Sequence, residues 1–359
     1  MASVFYCLRA TLTMTLLLTG IIVLVLMYCW SAPSPNCHPP PSQPNTSVLT
    51  KQPAKQQTDK PVLLLWFWPG NKRFDLQDCK RLFEIDSCHL TDDRSSYSRA
   101  HDVLVFHRAI QNLSNLPTSP RSRLQRWIWF NTDSPNKTRK IEGIQGLFNL
   151  TLSYRRDADI NIRQGITFKK DSDEDFILPK KERLLCWIVD GDDFHTKSGE
   201  RYSYYSELIK HIKVDVFNSS STKGENYFLT ISSCKFYLSF ENSIYIDYIT
   251  ETFYEPLAVG TVPIVLGPPR KNYEDYAPRT SFIHVNDFPE AKALAKSLLE
   301  LDKDDMAYMR YFDWRQFYIV RHPTEEKHEF AHAICQACRH VGIYKKYRVV
   351  PDLYKWFFQ

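Results

Sequence analysis

The sequence predicts an α/β protein of two lobes with parallel sheets, preceded by a membrane anchor and a linker. Three observations support this prediction. The chain has 359 residues, which is more than one hydrophobic core usually supports. One long apolar run lies near the N-terminus. After it, short buried-strand patterns alternate with helix-like segments to the end of the chain.

The apolar run predicts a transmembrane helix. Residues 10–30 carry no charged side chain, and Leu16 to Met27 is mostly Leu, Ile and Val. Such a segment is long enough to cross a hydrocarbon core of ~30 Å as a helix. A cleaved signal peptide is the alternative, but residues 28–32 lack a convincing small-x-small cleavage site. We therefore expect a cytoplasmic tail at 1–9 and an uncleaved signal anchor at 10–30.

The segment after the anchor predicts a stem, and the glycosylation sequons predict a lumenal protein. Eight prolines lie between Ser31 and Pro61, a composition that stays extended, so we assign residues 31–60 to a lumenal stem. Asn-x-Ser/Thr sequons, which are candidate glycosylation sites, occur at Asn45, Asn112, Asn136, Asn149 and Asn218. Together with the anchor they indicate a single-pass type II membrane protein of the secretory pathway.

Six cysteines lie beyond the anchor and the stem, and they predict disulfide bonds in an oxidising compartment. They are Cys79, Cys88, Cys186, Cys234, Cys335 and Cys338. The spacing of Cys335 and Cys338 also serves zinc or redox sites. No second close pair accompanies them, so the structural interpretation is favoured, and the residues alone leave the pairing open.

Charge excludes one class of function. The chain carries 46 basic and 41 acidic residues, a formal net charge of +5, with no long run of Lys and Arg. Nucleic-acid binding is therefore not expected.

The folded part shows a pattern of alternating strands and helices. Buried-strand patterns occur at Pro61–Trp68, Ala100–Phe106, Arg126–Phe130, Leu184–Val189, Phe236–Phe240 and Val262–Leu266. Helical patterns include Tyr204–Ile212 and Ile249–Val259. The acidic run Lys170–Asp175 interrupts the apolar periodicity, so we expect lobes at 61–175 and 176–359, with a C-terminal return.

A polar cluster comes directly after one of these strands. Glu241, Asn242 and Ser243 come directly after Phe240, and Asp247 is placed to cap the next helix. Ligands of parallel α/β sheets bind at the carboxyl ends of strands, where helix N-termini favour phosphates. A nucleotide diphosphate is therefore a candidate ligand here.

The same region resembles a known signature. The runs Cys234–Ser243, Asp247–Glu251 and Ala258–Pro268 are similar to the donor-binding signature of the α-1,3-fucosyltransferases. The resemblance extends from about Trp66 to the C-terminus and includes Thr91–Arg94, Trp127–Trp129, Phe148–Asp157, Ser281–His284 and Cys335–Cys338. The chain resembles the vertebrate Golgi members that build Lewis-type structures, as a divergent member.

The resemblance implies two Rossmann-like lobes of the GT-B kind, with the acceptor lobe first and the GDP-fucose lobe second. It implies an enzyme that moves L-fucose from GDP-fucose to the 3-hydroxyl of GlcNAc in N-acetyllactosamine-type glycans, by a single inverting displacement. Acceptors on glycoproteins or glycolipids, a Golgi membrane location and no obligatory metal are implied as well. The implied disulfides join Cys186 to Cys234, and Cys79 and Cys88 to the C-terminal pair.

Matching positions give each site residue a role. Arg201 is assigned to the phosphates, and Asp133 to the general base that takes the acceptor proton. Lys72 is assigned to acceptor contact. The residues assigned to the nucleotide and sugar are Tyr237, Asn242, Tyr248 and Glu251.

Several departures from the family pattern leave alternatives open. The family has Glu where this chain has Asp133, and Lys where it has Thr252; Asp190–Asp193 adds carboxylates near the expected diphosphate. A metal such as Mn²⁺ at Asp190 and Asp192 could replace the missing cation, and similar Asp-x-Asp runs start at Asp157 and Asp171. The alternatives are therefore a transferase with altered donor or metal use, or a catalytically impaired sugar-binding homologue.

Overall fold

The computed structural model describes residues 60–163, 166–169, 176–189, 199–321 and 330–359, with only the backbone of 166–169 and 321. The predicted tail, anchor and stem, the sequon at Asn45 and the acidic runs 170–175 and 190–193 lie outside these ranges. No helix within them is long and apolar enough to cross a membrane. Chain contacts group Thr58–Gln359 into one compact unit.

Two parallel sheets organise this unit, as the sequence predicts. The first has the order β2-β1-β3-β4-β5-β6, with β1 Val62–Leu65, β2 His89–Thr91, β3 Asp102–Phe106, β4 Arg126–Asn131, β5 Leu150–Ser153 and β6 Ile160–Asn161. The second has the order β12-β11-β10-β8-β9, with β8 Arg183–Val189, β9 Asp215–Asn218, β10 Cys234–Phe240, β11 Val262–Leu266 and β12 Ile283–His284. A separate pair joins β7 Ile166–Lys169 antiparallel to β13 Tyr318–Arg321.

Helices and short 3₁₀ turns connect the strands. The described α-helices are α1 Asp78–Phe83, α2 Glu200–Leu208, α3 Glu225–Ser232, α4 Glu251–Val259, α5 Arg270–Glu274, α6 Ala291–Lys303, α7 Asp305–Met309, α8 Ala331–Ile343 and α9 Leu353–Phe357. The 3₁₀ segments are Pro69–Asn71, Arg94–Arg99, His107–Ala109, Leu113–Asn115, Pro135–Lys137, Val285–Asp287 and Arg310–Gln316.

The C-terminal segment packs on the first sheet. On one face, α8 places Ile334 and Val341 in a core with residues of β1, β3 and β4. On the other face, Phe357 of α9 packs against Trp129 of β4, with ring centroids 4.8 Å apart. The disulfides Cys79–Cys335 and Cys88–Cys338 join α8 to α1 and to the loop after it. The pairing implied by the resemblance is confirmed for both.

The second sheet is covered on both faces. Leu294 and Leu298 of α6 pack with Phe236 and Leu238 of β10 on one face. On the opposite face, the disulfide Cys186–Cys234 joins β8 to β10, again as implied. Because both faces are covered, six of the seven residues of β10 are buried, and its sequence does not alternate strictly between apolar and polar residues.

Strand order determines where a ligand fits. In each sheet the order reverses at one point, between β1 and β3 in the first and between β8 and β10 in the second. Ligands of open α/β sheets bind outside the carboxyl ends of the strands at such a reversal. The loops after β1, β3 and β4, and those after β8 and β10, therefore define the candidate site.

Candidate functional site

The donor half of the site lies at the reversal between β8 and β10. Residues 190–198, which come after β8, are outside the described part of the chain. Arg201 lies in the first turn of α2, just beyond them, and is half-buried. Its positive charge lowers the pKa of Glu241, the first residue after β10, so the two side chains lie near each other. A cation therefore lies where the phosphates of a nucleotide would bind.

Three further predicted donor contacts come together beyond β10. Asn242 and Glu251 are exposed, while Tyr248 is 6% exposed. The Asn242 side chain hydrogen-bonds to Tyr248. Burial raises the pKa of the Tyr248 hydroxyl, and the neighbouring carboxylates of Glu241 and Glu251 raise it further. These side chains form one connected polar surface at the N-terminus of α4.

Tyr237 is not part of that surface. It is 2% exposed and packs with the Cys186–Cys234 disulfide on the face of β10 that helices cover. Burial raises the pKa of its hydroxyl, which interacts with Tyr227 and the Ile188 backbone. The structure does not support the donor contact predicted for Tyr237, because its ring is enclosed by the core.

Asp247 does not cap α4. The residue before α4 is Thr250. Asp247 has a left-handed backbone, with φ of 65°, and its carboxylate accepts hydrogen bonds from Asn272 Nδ2 and from Arg156 Nε, both at 2.9 Å. Residues 241–250 connect β10 to α4, and we call this segment the donor loop. Since Arg156 lies beyond β5 of the first sheet, Asp247 joins the donor loop to the first sheet. The capping prediction was therefore wrong.

The predicted acceptor residues lie at the carboxyl edge of the first sheet. Asp133 lies beyond β4 and Arg108 beyond β3, and the two form a bidentate ion pair in which Arg108 Nε lies 2.9 Å from Asp133 Oδ2. The Asp133 side chain is 13% exposed and that of Arg108 is 61% exposed. The predicted base is thus held in one orientation by a cation that faces solvent.

His107 fixes the strand end from which Arg108 extends. It is buried, its Nδ1 accepts from Trp129 Nε1 at 2.9 Å, and its Nε2 therefore donates to the Arg139 carbonyl at 2.9 Å. Burial lowers the pKa of this imidazole. A neutral His107 with both nitrogens bonded is a support for the site and not a proton carrier.

Lys72 lies at the same edge, beyond β1. It is exposed and comes after the 3₁₀ turn Pro69–Asn71, where its backbone N–H bonds to the Pro69 carbonyl. The first sheet thus presents Lys72, Arg108 and Asp133 beyond three neighbouring strands. The acceptor role of Lys72 stays a prediction.

The two halves meet at these edges. Ser243 Oγ lies 3.1 Å from Ser134 Oγ, within hydrogen-bonding distance. Asp133 and Asn242 are adjacent in sequence to these two serines. Tyr245 donates to Asn136 at 2.8 Å, and the rings of Tyr154 and Tyr248 have centroids 5.1 Å apart. The candidate base therefore lies close to the donor loop.

Two family models match this chain. Glycosyltransferase family 10 (fucosyltransferase) C-term matches residues 178–356, and Fucosyltransferase, N-terminal, matches residues 58–165. The rat 4-galactosyl-N-acetylglucosaminide 3-alpha-L-fucosyltransferase 9 (Rattus norvegicus) is 45% identical over 300 residues, 82% of each chain. The chain belongs to glycosyltransferase family 10, the fucosyltransferases.

Other relatives agree with this assignment. The human 4-galactosyl-N-acetylglucosaminide 3-alpha-L-fucosyltransferase 9 is also 45% identical over 82% of each chain. The 3-galactosyl-N-acetylglucosaminide 4-alpha-L-fucosyltransferase FUT3 of Bos taurus is 40% identical, over 82% of this chain and 81% of its own. Among solved structures, an alpha1,3-fucosyltransferase with GDP-fucose is 14% identical, with a TM-score of 0.49, over 85% of this chain and 96% of that one.

In this fucosyltransferase, Thr252 replaces the phosphate-contacting lysine expected from the resemblance. Its hydroxyl lies 2.8 Å from that of Thr250, and its backbone carbonyl accepts from Ser239 Oγ at 2.7 Å. The first turn of α4 is thereby fastened to β10 without adding positive charge. Arg201 remains the cation that the resemblance assigns to the phosphates, and it lies near Glu241.

The described part of the fucosyltransferase holds no cluster of three or more side chains suited to a metal ion. Of the predicted Asp-x-Asp runs, only the one starting at Asp157 is described. Asp157 pairs with Arg155 at 2.9 Å, and Asp159 accepts from the Thr151 backbone at 2.9 Å and from Arg348. Ion pairs and hydrogen bonds therefore use both carboxylates.

The sequons differ in accessibility. The side chains of Asn112, Asn136 and Asn218 are exposed. That of Asn136 also hydrogen-bonds to Ser243 and Tyr245 of the donor loop. Asn149 is fully buried, and its Nδ2 donates to the Arg348 carbonyl at 2.5 Å. The structure does not support glycosylation at Asn149, because this conformation leaves its amide nitrogen no access to solvent.

Sequence reasoning missed Arg108, His107 and the burial of Glu241. The partner of Arg108 lies 25 residues away, on another strand end, so no local pattern indicates the ion pair. His107 comes directly after the buried strand 100–106, and its position at the strand end was the one usable signal.

Proposed function

We propose that this fucosyltransferase transfers L-fucose from GDP-fucose to the 3-hydroxyl of GlcNAc in N-acetyllactosamine-type glycans. Family membership supports fucosyl transfer, and the names of the relatives support this linkage and this acceptor class. The observation that carries the proposal is the Ser134–Ser243 hydrogen bond of 3.1 Å, which brings Asp133 close to the donor loop.

The proposed reaction is a single displacement. The Asp133 carboxylate takes the proton of the acceptor hydroxyl as its oxygen attacks C1 of fucose. The bond between C1 and the diphosphate oxygen breaks as the new bond forms, so the configuration at C1 inverts. GDP leaves with the bonding electrons, and Arg201 stabilises its developing negative charge.

The Arg108 ion pair has a defined part in this scheme. It orients the Asp133 carboxylate before the acceptor binds, since bidentate Arg–carboxylate pairs fix geometry as well as charge. In this ion pair, Arg108 contacts both carboxylate oxygens of Asp133. We therefore propose that the acceptor hydroxyl takes over one of the carboxylate oxygens from Arg108 during the reaction.

The setting proposed for the enzyme is the Golgi membrane. The apolar run 10–30 would serve as a type II signal anchor and residues 31–60 as the stem. The glycans would be carried by glycoproteins or glycolipids. Three disulfides within the described residues support an oxidising compartment.

Transfer assays with the fragment that starts near Lys51 test the activity. GDP-fucose and N-acetyllactosamine should give a fucosylated product, and an acceptor lacking the GlcNAc 3-hydroxyl should give none. We propose that no metal is obligatory, so EDTA should leave the rate unchanged. A strict Mn²⁺ requirement would instead favour a metal bound near Asp190 and Asp192.

A catalytically impaired sugar-binding homologue is the second candidate. Thr252, which supplies no cation, and the ion-paired Asp133 favour it. Binding of GDP-fucose without any transfer would support this alternative. Measurable turnover with N-acetyllactosamine would exclude it.

A further inference from the structure

Glu241 is a buried carboxylic acid that the proposed mechanism does not use. It is the first residue beyond β10, at the reversal between β8 and β10, and it is 3% exposed. Glutamate is almost never so buried unless it is paired. Among the described residues, no Lys, Arg or His side chain forms an ion pair with it within 4 Å. Its position therefore calls for a specific role.

The contacts of Glu241 lead to the start of α4, whose first residue is Glu251, a predicted donor contact. Its Oε1 accepts a hydrogen bond of 2.8 Å from the backbone N–H of Thr250, the residue directly before α4. Ser239 Oγ donates to the Thr252 carbonyl at 2.7 Å. Residues 239 and 241 point to the same side of β10, so the strand holds the first turn of α4 at two points.

The space around Glu241 is closed by Gly267 and Tyr273. A methyl group placed on Gly267 would lie 2.9 Å from Glu241 Cγ and closer still to the Tyr273 hydroxyl oxygen. Tyr273 is fully buried, and its hydroxyl has no hydrogen-bond partner within the described part of the chain. The Glu241 side chain is therefore closely packed at this point, where only a glycine leaves room for it.

Burial governs the charge of this group. It raises the pKa of Glu241 to about 8, although hydrogen bonds from Thr250 and the charge of Arg201 oppose the shift and Glu251 adds to it. At neutral pH the carboxyl group is mostly protonated. In that form it holds Thr250 without adding a negative charge beside Arg201. The charged and titratable groups that face it are Arg201, Tyr248, Glu251, Tyr254 and Tyr273.

We propose that Glu241 is a positioning residue for the donor: its buried carboxyl group holds the start of α4 through the Thr250 backbone, so that Tyr248 and Glu251 are in place where Arg201 meets a diphosphate. This inference rests on the proposed function, because it assumes that the edge of the second sheet binds a nucleoside diphosphate sugar. Ionisation would place a negative charge next to the phosphates and weaken their binding.

The test compares Glu241→Gln and Glu241→Met in the full-length chain, with GDP as the probe. Gln keeps the acceptor oxygen and the shape but cannot ionise, whereas Met removes the acceptor. The dissociation constant of GDP is measured by calorimetry from pH 6 to pH 9. Wild type should lose affinity above about pH 8, with a limit of about tenfold per pH unit. Glu241→Gln should not show that loss.

Glu241→Met should bind GDP about tenfold more weakly at pH 7, where the Gln variant matches wild type. The same pattern should appear in the KM for GDP-fucose, with kcat little changed. Glu255→Gln is the matched control. Glu255 is a buried acid of α4, and its carboxylate accepts a hydrogen bond of 2.6 Å from the Tyr227 hydroxyl. It should leave the pH dependence of GDP binding unaltered.

A second measurement remains informative if the Met variant fails to fold. A raised pKa in the folded state destabilises the protein as pH rises from the unfolded value toward 8. Glu241→Gln should therefore raise the melting temperature more at pH 8 than at pH 5. Equal GDP affinity and equal melting temperatures in wild type and variants would overturn this inference and leave the proposed function in place. No binding of GDP by wild type at any pH would overturn the proposed function as well.

Discussion

Asp133 is the residue on which the proposed chemistry depends most. Replacing it with Asn keeps its size and its hydrogen-bonding capacity but removes the basic carboxylate. We expect Asp133→Asn to lower kcat by roughly 10²- to 10⁴-fold, the usual contribution of a general base. The KM for GDP-fucose should stay unchanged, because Asp133 belongs to the first sheet. Steady-state kinetics on N-acetyllactosamine measure both constants.

The matched control is Asp133→Glu, which restores the family residue and adds one methylene. It should retain at least about a tenth of the wild-type kcat, because the carboxylate remains close to its position. If Asp133→Asn transfers fucose as fast as wild type, Asp133 is not the base.

Thr252 is the second residue-scale test, because it stands where the family has a cation. Thr252→Lys should lower the KM for GDP-fucose by about tenfold, the effect of one charge-assisted hydrogen bond. Thr252→Gln, similar in length but uncharged, is the control and should not improve binding. An unchanged KM in the lysine variant would show that the first turn of α4 does not reach the phosphates.

Sequence reasoning at the residue scale succeeded where a contact is local and failed where it depends on the face of a strand. Glu241 to Glu251 were predicted to line the site, and Asn242, Tyr248 and Glu251 do lie together there. Tyr237 lies on the same face of β10 as Lys235 and Ser239 but is buried, and the residue pattern alone does not tell which positions of that face reach a ligand. The same ambiguity is inherent in every strand of a doubly covered sheet.

At the scale of elements, the strands were predicted most accurately. The strand predicted at Val262–Leu266 has the same bounds as β11, and the other predicted strands differ by a few residues at their ends. A short apolar run bounded by turn residues is typical of a buried strand. The helix predicted at 204–212 begins at Glu200 instead, because its first turn is polar and shows no apolar periodicity.

Helix α8 offers an element-scale test of packing. A methyl group on Gly342 would lie 2.6 Å from the Ser87 carbonyl oxygen and closer still to Ser87 Cβ, next to the Cys88 disulfide. Gly342→Ala should therefore destabilise the fold by about 1–3 kcal/mol through overpacking, despite the better helix propensity of Ala. Thermal or denaturant unfolding measures the change.

The control for this prediction is Arg339→Ala, an exposed position on the same helix. It should change stability by less than about 0.5 kcal/mol. Equal stability of Gly342→Ala and wild type would mean that α8 does not approach the loop at Ser87 as closely as described.

At the scale of the whole molecule, two disulfides attach helix α8 to the first lobe. Their cysteines are 256 and 250 residues apart. Either bond alone closes a loop of about 250 residues. Once it has formed, the other bond closes a loop of only roughly a dozen residues, so it adds about 3 kcal/mol to the free energy of unfolding. The first adds about 5 kcal/mol on the same chain-entropy basis.

Stability should therefore fall non-additively. Removing one bond as a Cys→Ala pair should cost about 3 kcal/mol, and removing both about 8 kcal/mol. The denaturation midpoints of the two single-bond variants and the double variant measure this. If the double variant loses no more stability than the sum of the losses in the two single-bond variants, the shared-loop account is contradicted.

The measurement that tests the central claim most directly is product analysis after incubation of the fragment that starts near Lys51 with GDP-fucose and N-acetyllactosamine. Nuclear magnetic resonance of the trisaccharide reports both the position and the anomeric configuration of the new bond. We predict fucose in α linkage to O3 of GlcNAc, with Asp133→Asn giving far less of the same product. Fucose at another position, or none while GDP-fucose still binds, would contradict the account.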